Sequence, residues 1–229
     1  MDEAAELSRK LHLPDVAPHL AEAFTHRSYA VEHDLAYDNQ RLEFLGDAVL
    51  EIIQTEYLFK RRPGATEGQL TKLRSALACE EALAEWSRQL ELGTLLKVGR
   101  GEEDNGGAAR GSTLADLFEA VLGAVYLDLG MAAARSFVLP LLEASLGDPD
   151  DLLLELNPKG QLQELTQRVF GGTPRYLVLG VSGPRHKPTF KVEARAGGRV
   201  TVGDGASRKQ AESRAAAQLY RYLSALSRK

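Results

Sequence analysis

Cysteine is almost absent from this chain: Cys79 stands alone among 229 residues. One thiol forms no disulfide within the chain and assembles no cysteine-based zinc site, a usage that fits a reducing cytoplasm. Histidine is scarce as well, and His26 and His33 lack metal-ligand spacing, so both read as structural. Long apolar runs are missing. No apolar stretch approaches about 18 residues without a charge, and the opening MDEAAELSRKLHL is acidic and amphipathic rather than basic and then apolar. These absences predict a cytoplasmic protein with no membrane segment. Internal repeats and low-complexity tracts are absent too, and the first 147 residues show no alternation of strand period.

What is present suits a globular protein, with 44% hydrophobic and 26% charged residues. The net charge of -4 disguises a strong asymmetry. Residues 151–229 hold 14 Lys and Arg against 6 Asp and Glu, a net +8, which leaves 14 against 26, a net -12, for residues 1–150. A basic tail is compatible with nucleic-acid binding and equally with a solvated surface, so motifs must separate the two.

Residues 3 to about 147 carry helical periodicity, punctuated at 13–15, 61–66 and 100–112. Thr66 reads as an N-cap, with Glu67 in the following first turn. The helical pattern stops near Gly147, and DPDDLLLELNPKG, with two prolines, reads as a joint. Beyond Pro158 come an amphipathic helix (QLQELTQRVF), three short alternating runs (PRYLVLGVSG, PTFKVEARAGG, RVTVGDG) and an alanine-rich helix. That order predicts a three-stranded antiparallel meander with both helices on one face. The predicted fold is thus an all-α domain over 1–150, a linker over 151–156, and an α-β-β-β-α domain of the α+β class over 157–229.

The chemistry lies in acids placed on apolar helices. In NQRLEFLGDAVLE (39–51), Glu43 and Asp47 are one turn apart and share a face, where like charges repel. In STLADLFEAVLGAVYLD (112–128), Asp116 and Glu119 repeat the design among small residues that permit close packing. An acid pair of this kind is otherwise the polar stripe of an amphipathic helix. If the two segments meet, four carboxylates form a hard-oxygen cluster suited to Mg²⁺ or Mn²⁺ and to phosphodiester hydrolysis.

NQRLEFLGDAVL is similar to the ribonuclease III signature N-x-R-L-E-F-L-G-D, and ADLFEAVLGAVYLD resembles that family's second acidic motif. AFTHRSYA (23–30) and TEGQLTKLRS (66–75) resemble further family segments in the expected order. The resemblance implies that Glu43, Asp116 and Glu119 hold the metal most directly, that Asp47 ligates it directly or through water, and that Asp47 and Glu119 are catalytic. It implies supporting roles for Glu67, whose other reading is helix stabilisation, and for Gln40, which stands where many relatives have Glu. It implies a homodimer in which each copy cuts one strand and Phe44 inserts into the partner; otherwise Phe44 is a core residue. Gly46 would admit a close neighbouring backbone or ligand.

The tail resembles a double-stranded RNA-binding domain in KGQLQELTQ, GPRHKPTF and GDGASRKQAESRAAA. Gln163 and Gln167 would meet one minor groove, His186 a second, and Arg208 and Lys209 the phosphates between. Glu212, one turn on, makes that helix start less basic. The resemblance therefore implies an endoribonuclease that cuts double-stranded RNA with Mg²⁺, leaving staggered 5′-phosphate and 3′-hydroxyl ends on ribosomal precursors and structured messenger RNAs. The alternatives are a double-stranded RNA-binding protein that does not cut and a metal phosphohydrolase of small nucleotides.

Overall fold

A computed structural model describes residues 3–227, which form two compact units divided between Gly147 and Asp148. The first unit is helical: α1 (Glu3–Lys10), α2 (Leu20–Ala23), α3 (Arg27–Glu32), α4 (Gln40–Arg61), α5 (Glu67–Leu77), α6 (Glu80–Gln89), α7 (Arg100–Asp104) and α8 (Gly111–Leu146). Its described β-type pairing is a single bridge between Thr25 and Lys97.

The core forms where α4 and α8 cross. Buried Leu42, Val49, Leu50, Ile53 and Leu58 of α4 face a segment of α8 that is buried almost all round, from Leu114 to Val125. An apolar helix enclosed on every side belongs to a protein interior. That burial accounts for Gly111–Leu146 being long and apolar enough to cross a membrane by composition. Gly130 interrupts α8 with φ 78° and ψ 177°, a conformation that only glycine adopts without strain. The chain turns there and resumes as the helix that ends at Leu146. Trp86 packs on Phe118 with ring centroids 5.2 Å apart, and its indole N–H donates to Ser145 Oγ at 2.7 Å, which ties α6 to both halves of α8.

The start of α5 is a capping box. Thr66 Oγ1 accepts from Gln69 N–H, and the Gln69 side chain accepts from Thr66 N–H. The N-cap reading of Thr66 therefore holds, and Glu67 occupies the first turn.

The second unit contains α9 (Pro149–Leu156), α10 (Pro158–Phe170), β1 (Arg175–Ser182), β2 (Thr189–Ala196), β3 (Arg199–Gly205) and α11 (Arg208–Ser227). The strands pair antiparallel in the order β1-β2-β3, with a bulge between Val178 and Gly180. Leu162 and Leu165 of α10 and Ala215, Ala216, Leu219 and Leu223 of α11 form one core with Ala194 of the sheet, the predicted meander with its helices on one face. The joint differs from the sequence reading, because 151–156 is helical. Asp148 caps α9 by accepting from Asp150 N–H, Pro149 takes the first turn, and Leu153 and Leu154 are buried. An Asp-Pro pair that looks like a break is also a favourable helix start.

Candidate functional site

Two glycines set the geometry of the acid cluster. Gly46 of α4 and Gly123 of α8 face each other's helices so closely that a β-carbon on Gly46 would fall on the Glu119 carbonyl, and one on Gly123 on the Leu42 carbonyl. With both side chains reduced to hydrogen, the helix backbones touch, and the acids one to two turns away on each helix are drawn together. One carboxylate oxygen each from Glu43, Asp116 and Glu119 lies within 4.8 Å of the other two. Asp47 is exposed, as is Asp116, and stands outside that trio, although its charge bears on both Glu43 and Glu119.

The electrostatic cost of the arrangement appears in proton affinity. Burial pushes the Glu119 carboxyl up to about 8, with the charges of Asp47, Glu43 and Asp116 adding to it. Glu43 is raised by burial and then by Asp116, Asp38 and Asp47. Asp116 is raised by partial burial and then by Glu80, while His26 pulls it the other way. Asp38 and Glu80 were not singled out in the sequence, and for Glu80 no sequence signal existed, since it reaches Asp116 only through the fold. The donor set is all oxygen and under mutual repulsion, which fits a hard divalent cation and not a soft one.

Gln40, the first residue of α4, lines a cavity of about 460 Å³ together with Glu43, Asp116, His26 and Arg27. His26 also has the structural role read from the sequence: its Nδ1 caps α3, accepting from Ser28 N–H at 3.2 Å. His33 ends α3, and its ring packs at a tilt against Tyr29. Glu67 is not brought to the trio within the chain. It lines a separate groove with Phe59, Leu70 and Arg74, and accepts from Thr71 Oγ1 at 3.1 Å. Phe44 is 81% exposed and so is no core residue, and Ile52 and Phe59 are exposed on the same helix. Asp128, at the end of the second acidic motif, is a pin: its carboxylate accepts from His19 N–H at 2.8 Å.

In the second unit, Gln163 and Gln167 are exposed one turn apart on α10, His186 is exposed in the β1–β2 connection, and Arg208 and Lys209 open α11. Glu212 is buried at 7% exposure, and each of its oxygens accepts from a cation, Lys159 Nζ at 2.5 Å and Arg208 Nε at 2.8 Å. In the sequence Glu212 reads only as lost positive charge, and nothing near Lys159 marks it as a partner. The i,i+4 spacing could have suggested the Arg208 bond, but Lys159 lies 53 residues away.

Residues 18–145 match the family described as Ribonuclease-III-like, and residues 158–223 match the double-stranded RNA binding motif. Ribonuclease 3 of Streptomyces coelicolor is 46% identical over 207 residues, 90% of this chain and 75% of that protein. The chain belongs to the ribonuclease III family. Ribonuclease 3 of Desulforamulus reducens is 44% identical over 221 residues, covering 95% of this chain and 88% of its own length. The nuclease domain of ribonuclease III from Campylobacter jejuni, described for flexibility in a region involved in dimer formation, superposes with a TM-score of 0.55. It is 39% identical and covers 61% of this chain and 95% of its own. The unit that matches the ribonuclease III family is the helical one, and the acid trio sits at the crossing of its two principal core helices.

Proposed function

We propose that this chain is an endoribonuclease that hydrolyses phosphodiester bonds in double-stranded RNA, using a divalent cation held by Glu43, Asp116 and Glu119. The observation that carries the reading is the convergence of three carboxylates whose burial and repulsion from neighbouring acids raise all three proton affinities. Mg²⁺ is the cation we assign, with Mn²⁺ able to substitute. When bound, such a cation supplies Lewis-acid activation of water and stabilises charge on the phosphoryl and leaving oxygens.

The chain's own residues do the rest. Glu43 fixes one side of the site from α4, and Asp116 and Glu119, three residues apart on α8, fix the other. The Gly46–Gly123 crossing holds these sides at one separation. Asp47, exposed beside the trio, would meet the reacting water, the catalytic role we give it with Glu119. Gln40 and Glu67 support the site in this reading. Gln163, Gln167, His186, Arg208 and Lys209 hold the duplex, and the products carry staggered 5′-phosphate and 3′-hydroxyl ends. A second copy supplies the second cut, with Phe44 and the exposed face of α4 at the interface. Ribosomal precursors and structured messenger RNAs in the cytoplasm are the substrates we assign. A binder that does not cut has no use for three converging acids that repel one another. The test is a long RNA duplex incubated with the full chain in Mg²⁺ and in EDTA, with the ends mapped; tight binding without cutting in Mg²⁺ would favour the non-cleaving alternative.

Three further results are expected. The first concerns pH. Glu119 holds its proton more tightly in the folded state than in the unfolded chain, so its contribution to stability is complete below the ordinary carboxylate range and is lost as pH rises toward 8. Without divalent ions the nuclease unit should therefore lose about 1–2 kcal/mol between pH 5 and pH 9, a figure reduced for solvent screening. Saturating Mg²⁺ should flatten the profile, as thermal unfolding would show; a profile indifferent to the cation removes these acids from its binding.

A chain ending at Gly147 stops at the unit boundary. Its affinity for duplex RNA at physiological salt should fall about 10²-fold, with residual cutting at low salt. Equal affinity in the truncated and full chains would refute the tail's assignment. Thirdly, Phe44→Asp should shift the protein to monomer in sedimentation velocity while leaving the Tm within about 2 °C, because an exposed side chain contributes little to the core. An unchanged sedimentation coefficient places the interface elsewhere.

A further inference from the structure

We propose that Glu212 is a positioning residue for RNA binding, which holds Lys159 and Arg208 in one fixed arrangement that meets the phosphates of a duplex. The inference rests on the assignment of the tail as the RNA-binding unit and goes beyond it, since counting charge alone makes Glu212 a liability there.

The geometry argues otherwise. Glu212 is buried, and its two oxygens are divided between two cations, Oε2 accepting from Lys159 Nζ and Oε1 from Arg208 Nε. Lys159 belongs to the first turn of α10 and Arg208 to the first turn of α11, so one carboxylate cross-links the starts of two helices that present polar and basic side chains to solvent. The acid's side chain is 10% exposed, whereas those of Lys159 and Arg208 are 42% and 65% exposed. The negative charge is thus hidden behind positive charges that face outward, and an approaching phosphate meets the cations first.

Each cation keeps free donors. Arg208 commits only Nε to Glu212, which leaves both terminal amino groups of its fork for a phosphate. Lys159 gives one of its three protons to Glu212, and its Nζ sits 4.7 Å from the centre of the Tyr176 ring, a second restraint on its direction. Long cationic side chains that wander in the free protein must be ordered when RNA binds. Here the bonds to Glu212 restrain both cations beforehand, which favours binding by preorganisation. Burial pushes the Glu212 carboxyl up, but its bonds to Lys159 and Arg208 outweigh that effect and hold it below its ordinary value, so it stays charged.

The two views of Glu212 predict opposite signs. Glu212→Gln adds one unit of positive charge to the tail, and charge counting predicts tighter binding. Preorganisation predicts that full-chain Glu212→Gln binds a long mixed-sequence RNA duplex about tenfold more weakly in EDTA, where no cutting occurs, with a salt slope smaller by about one. Equal or tighter binding by Glu212→Gln, with an unchanged unfolding transition, overturns the proposal and leaves the RNA-binding assignment standing. Failure of the wild-type chain to bind the duplex in EDTA sinks that assignment and this inference with it. A second comparison covers the case in which Glu212→Gln loosens the tail. In a Lys159→Met/Arg208→Met background, adding Glu212→Gln should change affinity less than twofold if it acts through those cations, and a further tenfold loss would show a purely structural role.

Discussion

Glu119→Gln should abolish cutting while sparing binding. With a long RNA duplex in Mg²⁺, the expected loss of cleavage rate is about 10³-fold or more, because the cation's stabilisation of the developing charge amounts to several kcal/mol and each 1.36 kcal/mol is tenfold. Duplex affinity in EDTA should stay within about twofold, since the phosphate contacts that dominate affinity lie elsewhere. Gln is nearly isosteric with Glu, and the carboxyl it replaces is half-buried beside like charges. The substitution should therefore raise the Tm in EDTA at pH 8 even as it removes activity. That opposite movement of stability and rate separates a cation ligand from a structural acid. Unchanged cleavage would end the assignment of Glu119, and a lowered Tm in EDTA would show that the acid is held by favourable bonds rather than by repulsion awaiting a cation.

The second large effect is expected at a residue that bears no functional group. Gly46→Ala places a methyl group on the Glu119 carbonyl, a backbone atom that no rotamer change can move aside. The helices must separate, and overpacking of this kind costs about 3 kcal/mol, which lowers the Tm by about 6–12 °C in a chain of this length. Gly123→Ala should act alike from the other side, against Leu42. Gly68→Ala is the contrasting case: it sits in α5 with nothing within 4 Å of the new β-carbon, so helix propensity should stabilise by about 0.5–1 kcal/mol. The Gly46 variant that remains folded should cut slowly at limiting Mg²⁺ and recover at high Mg²⁺, because the carboxylates would be separated and not lost. A Gly46→Ala protein with wild-type Tm and Mg²⁺ dependence would mean that the helices do not pack at this distance.

Local chemistry was legible where the deciding partner lay within a few residues. Thr66 and Gln69 form their capping box because each reaches the other's backbone across one turn. The alternating runs of the tail became strands because their turns leave only neighbours to pair with. The joint at 148–156 was local as well, and there two readings of Asp-Pro competed; burial of Leu153 and Leu154 in the second unit decided for a helix.

By itself the sequence determined the elements, the two acid pairs and, through its motifs, the family, since these depend on period and spacing along one chain. Only the tertiary structure decided that Glu43 meets Asp116 and Glu119, that Glu80 deepens their repulsion, and that Glu212 gathers two cations instead of cancelling one. The physical reason is common to all three. Electrostatic energy depends on separation in space and on burial, and Glu80 and Asp116, Lys159 and Glu212, and Glu43 and Glu119, which are 36, 53 and 76 positions apart, acquire both only when the chain has folded.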